Sequence, residues 1–140
     1  MNPDLVSHGK DGSAVSIRYE QINAFEKMLT ENGTTILKFM LHISKDAQKK
    51  RLQVRLHERP HQWKFNPGDI GDRKLWDEYQ RAYELMLQRC STAWAPWYVI
   101  PSDHKRARNA AVASLVRSTL EAMDPRYPKP DWDPESFEIP

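Results

Sequence analysis

The chain has 140 residues, of which 39% are hydrophobic and 29% charged, so it has the size of one soluble domain or of part of a larger one. Its net charge of +2 argues against bulk electrostatic binding of nucleic acid, and no run reaches the ~18 apolar residues that a membrane span needs. The single cysteine excludes an internal disulfide, and the N-terminus lacks the apolar core of a signal peptide. These features predict a soluble cytoplasmic protein with neither nucleic acid nor a membrane as partner.

The N-terminal third predicts a tail, a helix and a strand. Residues 1–16 are mostly polar, with two glycines, and we expect a disordered or irregular tail. The next apolar residues recur at helical spacing, and Asn32-Gly33 supplies a stop for that helix: they are Tyr19, Ile22, Phe25, Met28 and Leu29. The apolar run within residues 34–43 predicts a strand that is buried on both faces.

A basic helix is predicted to follow this strand, from an N-cap at Ser44 to Pro60. Residues 45–64 contain seven basic and two acidic side chains, a net charge of about +5. Arg51 and Arg55 share one helix face and Arg59 continues the line, near the strand end where open α/β sheets bind ligands. The pattern fits either a solvated helix face or a surface that binds phosphates.

The remainder predicts a loop at residues 61–71, a helix at 72–88, a strand at 97–100 and a helix at 104–123. A proline-rich acidic tail from residue 125 should be extended. Two buried strands separated by helices indicate a parallel sheet with a right-handed crossover. Because such sheets usually have more strands, we expect about two strands and four helices of a partial, doubly wound α/β domain.

Residues for complete phosphate chemistry are missing from the sequence. The pair Gly9-Lys10 is followed by Asp11 and has Asp4 where a Walker loop has its first glycine. His57 and His61 have metal-ligand spacing, but Pro60 interrupts the helix and no third ligand is near, so we predict no metal site.

Several sequence blocks, in order, resemble the family-2 polyphosphate kinases. They are RYEQINAFE (18–26), GTTILKFMLHISK (33–45), WKFN (63–66), LWDEY (75–79), APWYVIPSDHK (95–105) and Tyr127-Pro128. The similarity extends from about Ile17 to Tyr127 and is closest to members that phosphorylate nucleoside mono- and diphosphates. It implies a P-loop kinase fold and Mg²⁺-assisted phosphoryl transfer between polyphosphate and a nucleotide.

The resemblance covers only the C-terminal half of such a kinase, with residues 17–124 as the domain and 125–140 as its tail. In that family the phosphate loop and the magnesium-binding Asp-Arg motif lie upstream of the matched region. It implies polyphosphate contacts for Arg51 and Arg55, and Arg59 is a further phosphate-contacting candidate because it continues their line. It also implies substrate contacts for four further residues, of which the last two match a loop near the nucleotide: Lys64, Arg73, Asp103 and Lys105. Arg106-Ala107 replace an aromatic pair that is common in the family.

Three functions remain open from the sequence. The chain is part of a split or truncated kinase that needs an N-terminal half, or a non-catalytic module that binds polyphosphate or another anion. Alternatively it is a structural relic or an assembly partner of a full-length kinase. The partners expected from the sequence are an N-terminal half or further copies of the chain in a homo-oligomer. In each case the missing Walker loop predicts no catalysis by the chain alone.

Overall fold

The structure is a computed structural model that describes residues 12–136 and 138. It has α/β architecture, with a two-stranded parallel sheet and helices. The elements are α1 (Gly12–Glu31), β1 (Lys38–His42), α2 (Lys45–His57), a 3-10 helix (Arg59–Lys64), α3 (Gly68–Lys74), α4 (Trp76–Cys90), β2 (Trp97–Pro101), α5 (Lys105–Met123) and a 3-10 helix (Pro134–Ser136).

Helix α1 begins earlier than the sequence indicated. It starts at Gly12, so residues 12–16 of the predicted irregular tail are helical, while residues 1–11 lie outside the described part. Its end follows the prediction. Gly33 has φ 84°, and the Thr34 N–H donates to the Leu29 carbonyl at 3.0 Å, which is a glycine-type helix stop.

The parallel pairing of β1 with β2 is confirmed, in a register that runs from Lys38 opposite Trp97 to His42 opposite Pro101. The expectation that the first strand is buried on both faces was wrong. Leu41 is 46% exposed in β1 and Val99 is 50% exposed in β2. With two strands in the described part, each strand has one open edge, and Leu41 and Val99, which lie on opposite faces, are only partly covered.

Helix α2 is capped as predicted, because the Ser44 hydroxyl accepts the Ala47 N–H at 3.0 Å. It ends at His57 and does not continue to Pro60. Proline has no N–H for the i−4 carbonyl, so the α-helical ladder cannot pass through this position. The chain turns instead into the 3-10 helix Arg59–Lys64.

The predicted loop at 61–71 and the predicted helix from Asp72 were both misplaced. Helix α3 already begins at Gly68, whose N–H donates to the Asn66 side chain, and Leu75 separates it from α4. The described part therefore contains five α-helices, where four were expected. The tail predicted as extended contains the short 3-10 helix Pro134–Ser136.

The apolar core of the described residues is small. Its buried members are Leu52, Cys90, Ala95 and Ile100. They belong to α2, the end of α4, the segment before β2, and β2 itself. None of the helices in the described range is long and apolar enough to cross a membrane.

Candidate functional site

The loops after β1 and β2 meet at the C-terminal end of the sheet. The Ser102 N–H donates to the His42 carbonyl at 2.7 Å, and the Ser44 N–H donates to the Asp103 carboxylate at 2.8 Å. Ser102 is itself buried, and its hydroxyl donates to the Ile100 carbonyl. This is the edge at which open parallel sheets bind their ligands.

The carboxylate of Asp103 is held in its charged form. The backbone N–H of Ser44 lowers the pKa of Asp103 by hydrogen bonding to it, and the positive charges of Arg51 and His104 lower that pKa further. Asp103 therefore fixes the entry to α2 as an acceptor, and its negative charge balances nearby cations.

Arg51 is anchored to the loop after β2. Its guanidinium donates to the carbonyl of Ser102 and, at 3.3 Å, to the carbonyl of Asp103. A guanidinium has five N–H donors in a fixed fork, so these two bonds use only part of its capacity. The remaining donors are held in a set orientation beside the strand ends.

A cleft of about 300 Å³ lies between α2 and the α3–α4 pair. One wall carries the cationic side chains Arg51 and Arg55, and the opposite wall carries Asp69, Asp72 and Tyr79. With two arginines facing two carboxylates, the charges that line this cleft are balanced.

Arg55 is paired across the cleft with Asp69. Its Nη1 lies 3.4 Å from Asp69 Oδ2, and both side chains remain substantially exposed to solvent. An exposed pair of this kind contributes about 0–1 kcal/mol, so an anionic ligand can displace the carboxylate at small cost.

Tyr79 supplies a protonated hydroxyl on the α4 wall. Desolvation raises the pKa of Tyr79, and the negative charge of Asp72 raises it further. At neutral pH the phenol therefore keeps its proton, and its O–H donates to the Asp72 carboxylate.

Arg73 joins α3 to the start of α2. Its Nη1 donates to the Lys45 carbonyl and to Gln48 Oε1, both at 2.8 Å. It holds the acidic wall of the cleft against the basic wall. A neighbouring cavity of about 360 Å³ lies around the start of α2, where Lys50, Arg51 and His104 face Asp46 and Asp103.

The structure gathers four of the seven residues singled out in the sequence. Arg51, Arg55, Arg73 and Asp103 surround the first half of α2 and the cleft. Arg51 and Arg55 line the cleft, Asp103 lines the neighbouring cavity, and Arg73 is joined to α2 by hydrogen bonds; the other three residues have no such contact with the cleft. Lys64 lies 4.8 Å from the ring of Trp63, and Lys105 is the first residue of α5.

Arg59 corrects the predicted line of three arginines. It belongs to the 3-10 helix after α2, because α2 ends at His57. The arginine stripe on this helix therefore consists of Arg51 and Arg55.

Sequence reasoning missed the acidic and aromatic wall. Trp76, Tyr79 and Tyr83 of α4 follow at spacings of three and four residues, which places them on one helix face, and Asp72 near the end of α3 lines the same cleft. The same spacing is typical of an apolar core stripe, so the sequence alone does not distinguish a cleft wall from a core face. Asp69 was missed because its segment was predicted to be a loop.

No group of three or more His, Cys, Asp or Glu side chains among the described residues is arranged to hold a metal ion. The two carboxylates that line the cleft already have partners. Asp69 is ion-paired with Arg55, and Asp72 accepts a hydrogen bond from Tyr79. The described residues therefore do not by themselves fit the magnesium site that the resemblance implies.

The chain has α/β architecture with arginines held beyond the ends of its parallel strands, and the guanidinium fork matches the geometry of phosphate oxygens. Two comparisons with known proteins agree. The chain is 50% identical over 122 residues to an AMP/ADP-polyphosphate phosphotransferase of Meiothermus ruber, spanning 87% of this chain and 46% of that protein. It matches the crystal structure of polyphosphate kinase 2 from Arthrobacter aurescens with a TM-score of 0.86 and 42% identity, over 91% of this chain and 45% of that one.

The model of the polyphosphate kinase 2 (PPK2) family matches residues 8–128, and the chain belongs to this family. It spans about half the length of the Meiothermus relative and of the Arthrobacter structure. A shorter relative, an uncharacterized protein in the chlN 3′ region of Leptolyngbya boryana, is 45% identical and is spanned over 82% of its own length.

Proposed function

We propose that this chain is the C-terminal portion of a polyphosphate-dependent nucleotide phosphotransferase. The observation that carries the proposal is the cleft at the strand ends, into which Arg51 and Arg55 project from α2. Phosphoryl transfer depends on positioning and on neutralising the charge of the phosphate oxygens, and arginine forks bind such oxygens with two parallel hydrogen bonds. In this role Arg51 and Arg55 hold the polyphosphate, and Arg73 keeps the two walls of the cleft together.

The substrates in this proposal are polyphosphate and a nucleoside mono- or diphosphate. The names of two relatives support this class, since they are an AMP/ADP-polyphosphate and an ADP-polyphosphate phosphotransferase. Asp103 and Lys105, in and after the loop that follows β2, are assigned to the nucleotide side. Lys64 and Arg59 are assigned to phosphates of a long polyphosphate chain that lie farther from the cleft, since both residues lie beyond the end of α2.

The remaining catalytic groups belong, in this proposal, to a further portion of a doubly wound, P-loop-like domain. The 140 residues contain no G-x-x-x-x-G-K-[ST] sequence, and the described residues hold no three-ligand metal group. When bound in the intact enzyme, Mg²⁺ would neutralise phosphate charge. We assign the ligands of Mg²⁺ to that further portion. The partner of this chain is an N-terminal half or another copy of the chain in an oligomer.

Calorimetry with a polyphosphate of defined length tests the phosphate role of the two arginines. We expect millimolar to micromolar affinity for the wild-type chain, falling at least tenfold in the Arg51→Ala/Arg55→Ala variant, because each well-formed contact contributes about 1.5–3 kcal/mol. Binding of the wild type should also weaken more steeply with salt. Arg126→Ala removes an equally basic but distant side chain and is the matched control. Equal binding by the wild type and the double variant would show that the arginines have no phosphate role.

A turnover assay separates the enzyme from a non-catalytic polyphosphate-binding module. The isolated chain should not transfer phosphate from polyphosphate to AMP, ADP or GDP in the presence of Mg²⁺, because it lacks the groups that cradle phosphates. Turnover should appear once the further portion is supplied, and should be lost again in the double arginine variant. Polyphosphate binding without turnover in the completed domain would favour the binding module.

A further inference from the structure

The edge of β1 that faces away from β2 is bordered by apolar surface on both faces of the sheet. Side chains alternate between faces along a strand, so Leu41 lies on one face of β1 and Lys38 on the other. Leu41 faces α5, whereas Lys38 reaches Glu26 of α1. Each face of the sheet next to this edge carries one groove.

The α5–β1 groove has a volume of about 790 Å³. Its apolar lining comes from Leu41 in β1 and from Val112, Val116 and Leu120 in α5. Leu41 is 46% and Leu120 is 50% exposed. The lining includes no residue of β2, so the groove opens on the β1 side of α5.

The α1–β1 groove lies on the opposite face and has a volume of about 530 Å³. Its apolar lining comes from Ile22, Phe25 and Leu29 of α1 and from Ile36 just before β1. Polar side chains of α1 and β1 complete the lining: Arg18, Gln21, Glu26 and Lys38. Phe25 is 58% exposed although it lies in the middle of its helix. This groove also contains no residue of β2.

Because the two apolar grooves lie on opposite faces of the sheet at one strand edge, an occupant that fills both must place side chains on both faces. A strand that pairs with β1 sends alternate side chains to the two faces and so enters both grooves at once. Helices that flank such a strand would then cover Phe25 on one side and Leu120 on the other. A lone helix could fill one groove but would leave the backbone groups of the β1 edge unpaired.

We propose that the edge of β1, with the α1–β1 and α5–β1 grooves, is the docking surface for the portion of a PPK2 domain that this chain does not span. More than half of the Meiothermus protein and of the Arthrobacter structure lies outside the matched regions. The matched part superposes with a TM-score of 0.86, so this portion of the fold is the same in both chains. This inference rests on the proposed function, in which a further portion completes the domain.

The test compares two proteins: the isolated chain, and a chimera in which this chain replaces the matching part of the Meiothermus relative. Phe25→Asp changes the α1–β1 groove and Leu120→Asp changes the α5–β1 groove. Both substitutions are made in each of the two proteins. Both sites are exposed in the isolated chain, so its melting temperature should hardly change. In the chimera both sites should be covered, and each substitution should lower the melting temperature by about 10 °C or more. Leu85 on α4 is 48% exposed and lies outside both grooves, so Leu85→Asp is the matched control. It should not lower the melting temperature of the isolated chain or of the chimera.

Equal melting temperatures for the chimera with and without the two groove substitutions would overturn the proposal. It would also be overturned if Phe25→Asp and Leu120→Asp dissociated a dimer of the isolated chain and left the chimera unchanged, because the occupant would then be a second copy. Phosphotransfer is measured separately on the same chimera. A chimera that is sensitive in both grooves but inactive would support the docking surface and contradict the proposed function.

Discussion

Arg51 and Arg55 lie one helical turn apart on α2, yet their guanidinium groups have different partners. Arg51 donates to two backbone carbonyls and keeps its full charge, whereas Arg55 faces the carboxylate of Asp69. Arg51 therefore contributes both to stability and to binding. Arg55 is neutralised until a stronger anion takes the place of Asp69, so this carboxylate should act as a competitor of the ligand.

Asp69→Asn should strengthen polyphosphate binding. The substitution removes a negative charge 3.4 Å from Arg55 and leaves the guanidinium free for phosphate. We expect a gain of about two- to fivefold, equivalent to about 0.5–1 kcal/mol, which is the usual size of an exposed ion pair. Calorimetry at low salt measures it. Asp77→Asn removes the same charge from a position on α4 outside the cleft and should have little effect. Weaker binding by Asp69→Asn would show that Asp69 supports the site.

Asp103 should give the start of α2 a dependence on acidic pH. The hydrogen bond from the Ser44 N–H lowers the pKa of Asp103 in the folded state. The contribution of the Asp103 carboxylate to stability is therefore fully present above its pKa in the unfolded state, which is about 3.9. This contribution is lost as the pH falls through the lower pKa of the folded state. We expect the stability difference between wild type and Asp103→Asn to shrink below about pH 4. Urea unfolding across this range measures it, and a constant difference would contradict the assignment.

At the scale of the elements, Lys38 connects α1, β1 and α4. Its Nζ lies 2.6 Å from Glu26 Oε2 and 2.7 Å from the Cys90 carbonyl, and 5.2 Å from the centre of the Trp97 ring. The exposed fractions of the Lys38 and Glu26 side chains are 9% and 12%, so the pair is largely removed from water. A charged residue within an apolar strand is thus held by contacts with three other elements.

Glu26→Ala should destabilise the chain by about 3–5 kcal/mol, because it leaves the ammonium of Lys38 desolvated without its partner. Replacing both residues, as Glu26→Leu with Lys38→Met, should restore much of this stability, since no unpaired charge remains. Equilibrium urea unfolding provides both values. Lys27 and Glu31 form an exposed pair on the same helix, and Glu31→Ala should cost less than about 1 kcal/mol. A similar cost for Glu26→Ala and Glu31→Ala would contradict the desolvation argument.

The elements that the sequence predicts well are those set by local chemistry. The parallel strands follow from short apolar runs, and the start of α2 follows from a serine cap. The early start of α3 at Gly68 has a local cause in the Asn66 side chain, whereas the contact of α3 with α2 through Arg73 joins segments that are distant in sequence. The acidic wall of the cleft could not be predicted for the same reason. Its carboxylates face the arginines only after two distant segments fold together.

At the scale of the whole molecule, many large apolar side chains of the described residues are exposed. They lie on both strands and on the outer helices, for example Phe25 of α1, Leu41 of β1, Val99 of β2 and Leu120 of α5. A chain of this shape buries less apolar surface per residue than a complete domain, and it should therefore be marginally stable by itself.

The urea dependence of unfolding measures this deficit, because the m value scales with the surface that unfolding exposes. We expect the isolated chain to unfold with a low m value for its 140 residues, and to self-associate as its concentration rises. In the chimera with the remainder of the Meiothermus relative, the m value per residue should rise, because the two grooves and the β1 edge become buried on folding. Sedimentation of the isolated chain at several concentrations provides the second measurement. A compact monomer that unfolds cooperatively, with the same m value per residue as the chimera, would show that the small core around Leu52 and Ile100 is sufficient and that the exposed faces need no cover.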